Sequence, residues 1–154
     1  MLNYIMMPNM NRLEQVTAIF REFGIVQERV DAILKKQLPA HLPTAQFKLL
    51  NHLIYTTNQN ETASDIAANS HVSLSAMSQV IKQVRLKGYI ELQPQEHDSR
   101  KKKITITDAG HQVHQEAIMS LDTNLEGLAN SFNSDDLATL YRLSKQFRCE
   151  FENL

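Results

Sequence analysis

TASDIAANSHVSLSAMSQVIKQVRLKGYIELQPQEHDSRKKKITIT, from Thr62 to Thr107, holds two short helical patterns, a basic hairpin and most of the concentrated positive charge of the chain. Thr62 opens the first helix, because its hydroxyl can accept from first-turn backbone N–H groups and Asp65 adds negative charge where a helix end is positive. Ile66 and Ala67 form the inward side. After about two turns, Ser70-His71-Val72 interrupts the pattern, and Ser73 caps a second helix in which Leu74, Met77, Val80, Ile81 and Val84 recur at helical spacing. That helix ends at Leu86-Lys87-Gly88, where the glycine can take the left-handed conformation that terminates helices.

The other face of the second helix carries Ser75, Ser78, Gln79 and Lys82 at i, i+3, i+4 and i+7, a stripe of small or hydrogen-bonding side chains. With Ser73 and Ala76 beside it, the stripe fits a DNA major groove: serines allow close approach, Gln79 can pair bidentately with adenine, and Lys82 can reach guanine or phosphate. An ordinary solvated helix face has the same composition, so the neighbourhood decides between the two. Tyr89-Ile90-Glu91-Leu92 alternates as a short strand, and Lys103-Ile104-Thr105-Ile106 does the same with its isoleucines on one face. The ten residues between them, 93–102, are polar and contain Pro94, which predicts a hairpin tip. Arg100, Lys101, Lys102 and Lys103 give it a cationic edge suited to phosphates and, for the planar guanidinium of Arg100, to a narrow minor groove. Such a run is often only a solvated turn. Directly behind a helix pair it reads as a wing.

Helix, helix and basic hairpin resemble the winged helix-turn-helix of the MarR family of bacterial transcription regulators. The residues that carry the resemblance are Asp98-Ser99-Arg100, then Lys101-Lys102-Lys103-Ile104-Thr105-Ile106-Thr107 and Gly110, similar to that family's D-x-R wing motif, hydrophobic-Thr step and following glycine. Leu42-Pro43-Thr44-Ala45-Gln46-Phe47 and Leu86-Lys87-Gly88-Tyr89-Ile90 look like further landmarks, and Ile106 stands where leucine is usual. The match covers nearly the whole chain. It implies that Arg100 enters the minor groove, that Asp98 orients it or the wing, and that Ser75 to Lys82 is the groove-reading face. Asp98 also fits a turn residue bonded to its own backbone, and the two roles are compatible.

Composition sets the bounds. At 154 residues the chain is one domain's worth of material, with the apolar and charged fractions of a soluble globular protein, and its few glycines and prolines predict a mostly α fold with a small β-wing. No apolar run reaches membrane-spanning length, and Met1 to Pro8 lacks the pattern of a signal peptide, so a cytoplasmic location and no membrane partner are expected. The net charge of −1 hides a segregation: residues 71–103 hold seven Lys/Arg against three Asp/Glu, residues 104–154 three against eight, and residues 1–70 six of each. One basic face and one acidic region set apart from it suit a DNA partner. If two copies neutralise roughly six to ten phosphates, affinity should fall about a thousandfold or more between low and physiological salt.

Outside the central stretch, Asn11 to Leu38 reads as one long helix. Asn11 and Glu14 form a capping pair, and Leu13, Val16, Phe20, Phe23, Val26, Val30, Ile33 and Leu34 form an apolar line that Pro39 ends. Gly24 costs it about 1 kcal/mol relative to alanine. A second helix begins after Pro43 with Thr44 as cap and Phe47, Leu50 and Ile54 inward, followed by a polar loop, residues 56–61. Beyond the wing, Thr107 caps another long helix with Val113, Ala117, Leu121 and Leu128 as its apolar line. Ser134-Asp135-Asp136 starts the last one, with Leu137, Leu140, Tyr141, Ser144, Phe147 and Phe151. Long helices at both ends carry more apolar surface than one protomer can cover. The resemblance implies a homodimer in which they interlock, with residues 11–38 and 111–151 as dimerisation helices around a lobe of residues 44–107, in a single domain of residues 1–154. A two-fold pair can meet half-sites roughly 34 to 36 Å apart.

The inventory of chemical groups is thin. Cys149 is the only cysteine, so no intramolecular disulfide forms, and a small packing residue is the plainer reading than a reactive thiol. His111 and His114, three apart on a helix, could bind zinc with a third ligand such as His41, yet no Cys/His cluster completes the site in sequence. There is no Gly-rich phosphate loop, no HExxH and no GxSxG, so neither catalysis, a cofactor nor a metal is expected. The sequence is thus read as a homodimeric regulator, in most relatives a repressor released by a small, often aromatic ligand whose contact residues the sequence does not single out. The alternatives are a winged-helix module that binds protein, and a metal- or thiol-responsive sensor of the same fold.

Overall fold

The computed structural model describes residues 10–56, 58, 60–95 and 98–152, with the side chains of Asp98, Ser99, Arg100, Thr123 and Glu152 outside that description. In chain order the elements are α1 (Arg12–Gln37), α2 (Thr44–Tyr55), α3 (Ala63–Asn69), α4 (Leu74–Leu86), β1 (Ile90–Gln95), β2 (Asp98–Ile106), α5 (Asp108–Ser120), α6 (Asp122–Ala129) and α7 (Ser134–Glu152). The fold is mostly helical with one two-stranded antiparallel sheet, and its centre is a winged helix-turn-helix.

Local chemistry accounts for most of the boundaries. The Asn11 side chain accepts from the Glu14 N–H at 3.0 Å, and the Glu14 carboxylate accepts from the Asn11 N–H at 2.9 Å, closing a reciprocal cap on α1. At α2 the expectation is corrected: Thr44 is the first helical residue and Pro43 occupies the cap position, with no side-chain cap. The Pro43 carbonyl accepts from both Gln46 and Phe47, so the rigid proline starts the helix through its backbone.

Two turns of the same kind frame α4. At the end of α3, the Val72 N–H bonds the Ala67 carbonyl and His71 N–H that of Ala68. At the end of α4, Tyr89 N–H bonds Val84 and Gly88 N–H bonds Arg85. Each is a Schellman motif, which needs a left-handed residue one place past the cap. Gly88 takes that position at φ 75° without strain, and His71 takes it at φ 52°.

The core lies between α2, α3, α4, α5 and the sheet, with Leu42, Leu50, Ile66, Val84 and Ile90 fully enclosed. Leu74, expected inside, is half exposed at the head of α4. The polar loop after α2 also contributes to the interior. Glu61 is buried, its carboxylate taking Asn69 Nδ2 at 2.8 Å and meeting His52 Nε2 at 2.6 Å, while its carbonyl accepts from Ile104 N–H at 3.3 Å. This one residue binds α2, α3 and β2 together.

Two expectations for the later segments change. The strands run further than the apolar alternation suggested: Gln93 pairs with Lys103, Pro94 with Lys102 and Gln95 with Asp98, with a register shift between Pro94 and Gln95. Half of the supposed ten-residue tip is therefore paired, because backbone pairing continues regardless of side-chain polarity and the shift absorbs the unequal strand lengths. The helix expected from Thr107 onward is broken at Leu121 into α5 and α6. Ser120 Oγ donates to the Ala117 carbonyl at 2.7 Å while Leu121 N–H turns to Ile118, a local competition that tightens the turn.

The terminal helices stand apart from this core. Only Leu34 of α1 is buried. Phe20 and Phe23 meet Phe147 edge-on at 5.7 and 5.8 Å between ring centres, joining α1 to α7, while the remaining apolar rows of both helices face outward.

Candidate nucleic-acid interface

α4 is held at both ends and along one side. Ser73 Oγ accepts from Ala76 N–H at 3.1 Å, Met77, Ile81 and Val84 are buried, and the Schellman turn at Gly88 fixes the exit. At its C-terminal end, Lys87 Nζ donates to the His41 carbonyl and to Gln46 Oε1, both at 2.6 Å, and Gln46 Nε2 donates to Gln83 Oε1 at 3.0 Å. Gln46 is itself buried, so this chain of polar contacts clamps α4 to the start of α2. Lys87 counts in the basic balance of the segment but its ammonium is spent on this clamp.

With that side fixed, Ser73, Ser75, Ala76, Ser78, Gln79 and Lys82 are all exposed. The wing is anchored as firmly. Ile90 pairs with Ile106 and Leu92 with Ile104, the inward rows of the ladder, and Gln95 Nε2 donates to the Asn60 carbonyl at 2.7 Å. Thr107 closes the root: its N–H bonds the Tyr89 carbonyl, its hydroxyl donates to Gly88 and accepts from Gly110 N–H. Gly110 must be a glycine, since a Cβ there would lie 2.2 Å from the Tyr89 oxygen.

Lys101 and Lys102 are exposed on β2 and Lys103 is half-buried. Lys102 shares the strand face of Ile104 and Ile106 but lies beyond the lobe, so its side chain overhangs the space beside α4. The backbones of Asp98 and Arg100 belong to β2, while the roles expected of their side chains lie outside the described residues. Asp65 has its carboxyl held below the usual carboxylate range, first by the Thr62 backbone N–H, then by the Thr62 hydroxyl, with a smaller contribution from Lys101.

The polar face of α4 and the wing meet across a groove of about 680 Å³, lined by Ala63, Ser78, Ile81, Lys82, Arg85, Leu86, Leu92, Lys102 and Ile104. Three cations stand on its rim, and among the described residues no acidic side chain lines it. Arg85 is absent from the sequence reading, although it continues the stripe of Ser78 and Lys82 by one further turn. Its spacing of three from Lys82 is the signal in the sequence that points to it.

The groups considered for metal and redox chemistry are placed elsewhere. His114 is buried, stacked on Phe47 at 5.4 Å and bonded to Asn51 Oδ1 at 3.1 Å, and burial, then His111, depresses its pKa. His41 instead faces Glu116 at 3.9 Å. Among the described residues no group of three or more His, Cys, Asp or Glu is arranged to hold a metal, and no helix is long and apolar enough to cross a membrane. Cys149 is exposed on α7, not packed inside.

No family model matches the chain, and no curated protein matches it. Solved structures do. Apo MarR from E. coli is 24% identical, the match covering 82% of this chain and 94% of that one with a TM-score of 0.65. The transcriptional regulator BldR from Sulfolobus solfataricus is 16% identical over 89% and 99% of the two chains, with a TM-score of 0.69. A cysteine-to-serine mutant of E. coli MarR complexed with operator DNA is 22% identical over 90% and 99%, with a TM-score of 0.62. The structural neighbours of this chain are MarR-family transcription regulators, and it has their winged helix-turn-helix fold.

Proposed function

We propose that the chain is a sequence-specific, double-stranded-DNA-binding transcription regulator that works as a homodimer on a pseudo-palindromic operator. The observation that carries this reading is the juxtaposition of an exposed, carboxylate-free polar face on α4 with the cationic strand of the wing, both held by caps and clamps. In it, Ser75, Ser78 and Gln79 read bases in the major groove, with Ser73 and Ala76 beside them, Lys82 reaches guanine or phosphate, and Lys101, Lys102 and Lys103 contact the backbone. Arg100 enters the minor groove with Asp98 steadying it, roles that rest on the motif resemblance.

Homodimerisation is supported by the outward apolar rows of the terminal helices, such as Val26 and Val30 on α1 and Leu137 and Leu140 on α7. A row of that length needs a cover, and a second copy supplies the same row about a two-fold axis. Repression by occlusion of a promoter, relieved by a small aromatic ligand, is the form that the resemblance implies. Such a ligand acts only by binding more tightly to a dimer whose lobe spacing misfits the duplex.

Footprinting on the DNA upstream of the gene, with wild type, Gln79→Ala and Arg100→Ala, tests the reading. A protected palindrome in wild type that both variants weaken supports it. No protection by wild type, or a protein that sediments as a monomer at micromolar concentration, refutes it.

A further inference from the structure

We infer that the groove between α4 and the wing seats the DNA strand that separates the major from the minor groove, and that Arg85 is a phosphate-binding residue within it. The inference rests on the DNA-binding reading and adds a place and a residue to it. If α4 lies in a major groove and the wing reaches the adjacent minor groove, the sugar–phosphate strand shared by those two grooves has to cross between them. The space between α4 and the wing is this groove.

Its lining is matched to that occupant. Ile81, Leu92 and Ile104 form an apolar floor, which suits the carbon face of deoxyribose, and Lys82, Arg85 and Lys102 stand around it with no acidic side chain among the described lining residues to neutralise them. Lys82 and Arg85 project from successive turns of α4 and Lys102 from the facing strand, so the cations bracket the opening from two sides. Like charges converging on one groove repel one another unless an anion lies between them, and a polyanionic strand supplies one phosphate after another. A guanidinium in the last turn of α4 also complements the helix dipole, and the two roles separate experimentally.

The test is the salt dependence of binding to the footprinted operator and to a random duplex, measured for wild type, Arg85→Gln and Arg85→Lys. Each phosphate contact contributes about 0.9 to the slope of log affinity against log salt, so Arg85→Gln should flatten the slope by about 0.9 per protomer. For a dimer, wild type then loses roughly twelvefold more affinity than the variant between about 50 and 200 mM salt. The loss should be the same on both duplexes, since a phosphate contact carries no sequence information, and Arg85→Lys should restore the slope. In addition, the methyl NMR signals of Ile81, Leu92 and Ile104 should shift when either duplex is added. A wild type that binds the operator while Arg85→Gln keeps the full slope overturns the inference and leaves the proposed function standing. Methyl signals that ignore bound DNA overturn it too, and free the groove for a small-molecule occupant. A wild type that binds neither duplex overturns both.

Discussion

Replacing Gly110 by alanine tests the geometry that fixes the wing to the lobe. A Cβ at this position would lie 2.2 Å from the Tyr89 carbonyl oxygen, 2.6 Å from Ile106 Cγ1 and 3.1 Å from the Tyr89 carbonyl carbon. The first contact involves backbone, so no flexible side chain can swing away. To relieve it, either α5 or the α4–β1 turn must move by the better part of an ångström, and that movement strains two bonds at the root of the wing. One is Thr107 N–H to the Tyr89 carbonyl at 3.0 Å, and the other is Gly110 N–H to Thr107 Oγ1 at 3.1 Å. Overpacking costs about 1–3 kcal/mol and a weakened cap about 1, while alanine recovers about 1 through helix propensity. The expected net loss is about 1–3 kcal/mol, or roughly 2 to 12 °C in melting temperature. Gly24 in α1 supplies the control, because nothing lies within 4 Å of its Cβ position and Gly24→Ala should stabilise by about 1 kcal/mol. Both variants are compared by urea unfolding followed by circular dichroism. Equal stabilisation by the two substitutions would mean that α5 does not approach the Tyr89 backbone as described.

Two further perturbations follow from single residues. His71 holds a left-handed conformation that costs an L-residue about 1–2 kcal/mol, part of which glycine returns as backbone entropy, so His71→Gly should stabilise by about 0.5–1 kcal/mol; an unchanged or lower urea midpoint contradicts the turn geometry. His114 is held neutral by burial, whereas the unfolded chain protonates it near pH 6.5. Below that pH the unfolded state binds the extra proton, so stability present at higher pH is lost as pH falls until the depressed folded pKa is reached. Unfolding midpoints at pH 7.5 and 5 should therefore differ more for wild type than for His114→Gln, and an identical difference in both would show that His114 does not carry the effect.

The parts of this fold that could be read from sequence are those where local chemistry and the fold agree. Thr62 with Asp65, Asn11 with Glu14, Ser73 and Thr107 all cap the helices they were expected to cap, because a cap is satisfied within three residues of itself. The parts that were misread depend on partners far away in the chain. Glu61 sits in a polar loop by composition and is buried, because His52 and Asn69 arrive from two other helices to satisfy its carboxylate. The ladder from Gln93 to Gln95 has no apolar alternation, since its stability comes from the opposing backbone. Lys87 counts as one more positive charge until His41 and Gln46 are seen to receive its ammonium.

The same distinction governs the candidate interface. Which residues of α4 point outward follows from periodicity, so Ser75, Ser78, Gln79 and Lys82 were accessible to counting. Whether that face can grip a duplex depends on what stands opposite it, and this is set by the pairing of Leu92 with Ile104 and Pro94 with Lys102. Moving β2 by one residue would turn Lys102 away from α4 and place Lys101 or Lys103 over the groove, since alternate residues face opposite ways. The register is locked at its base by Thr107, which contacts Gly88, Tyr89 and Gly110 at once. The Thr107–Gly110 step therefore acts on the interface from a distance: it touches no surface that could meet DNA, yet it decides which cation faces the α4 stripe. Thr107→Val, which keeps the shape and removes the hydroxyl, should accordingly loosen the wing more than it loosens the core.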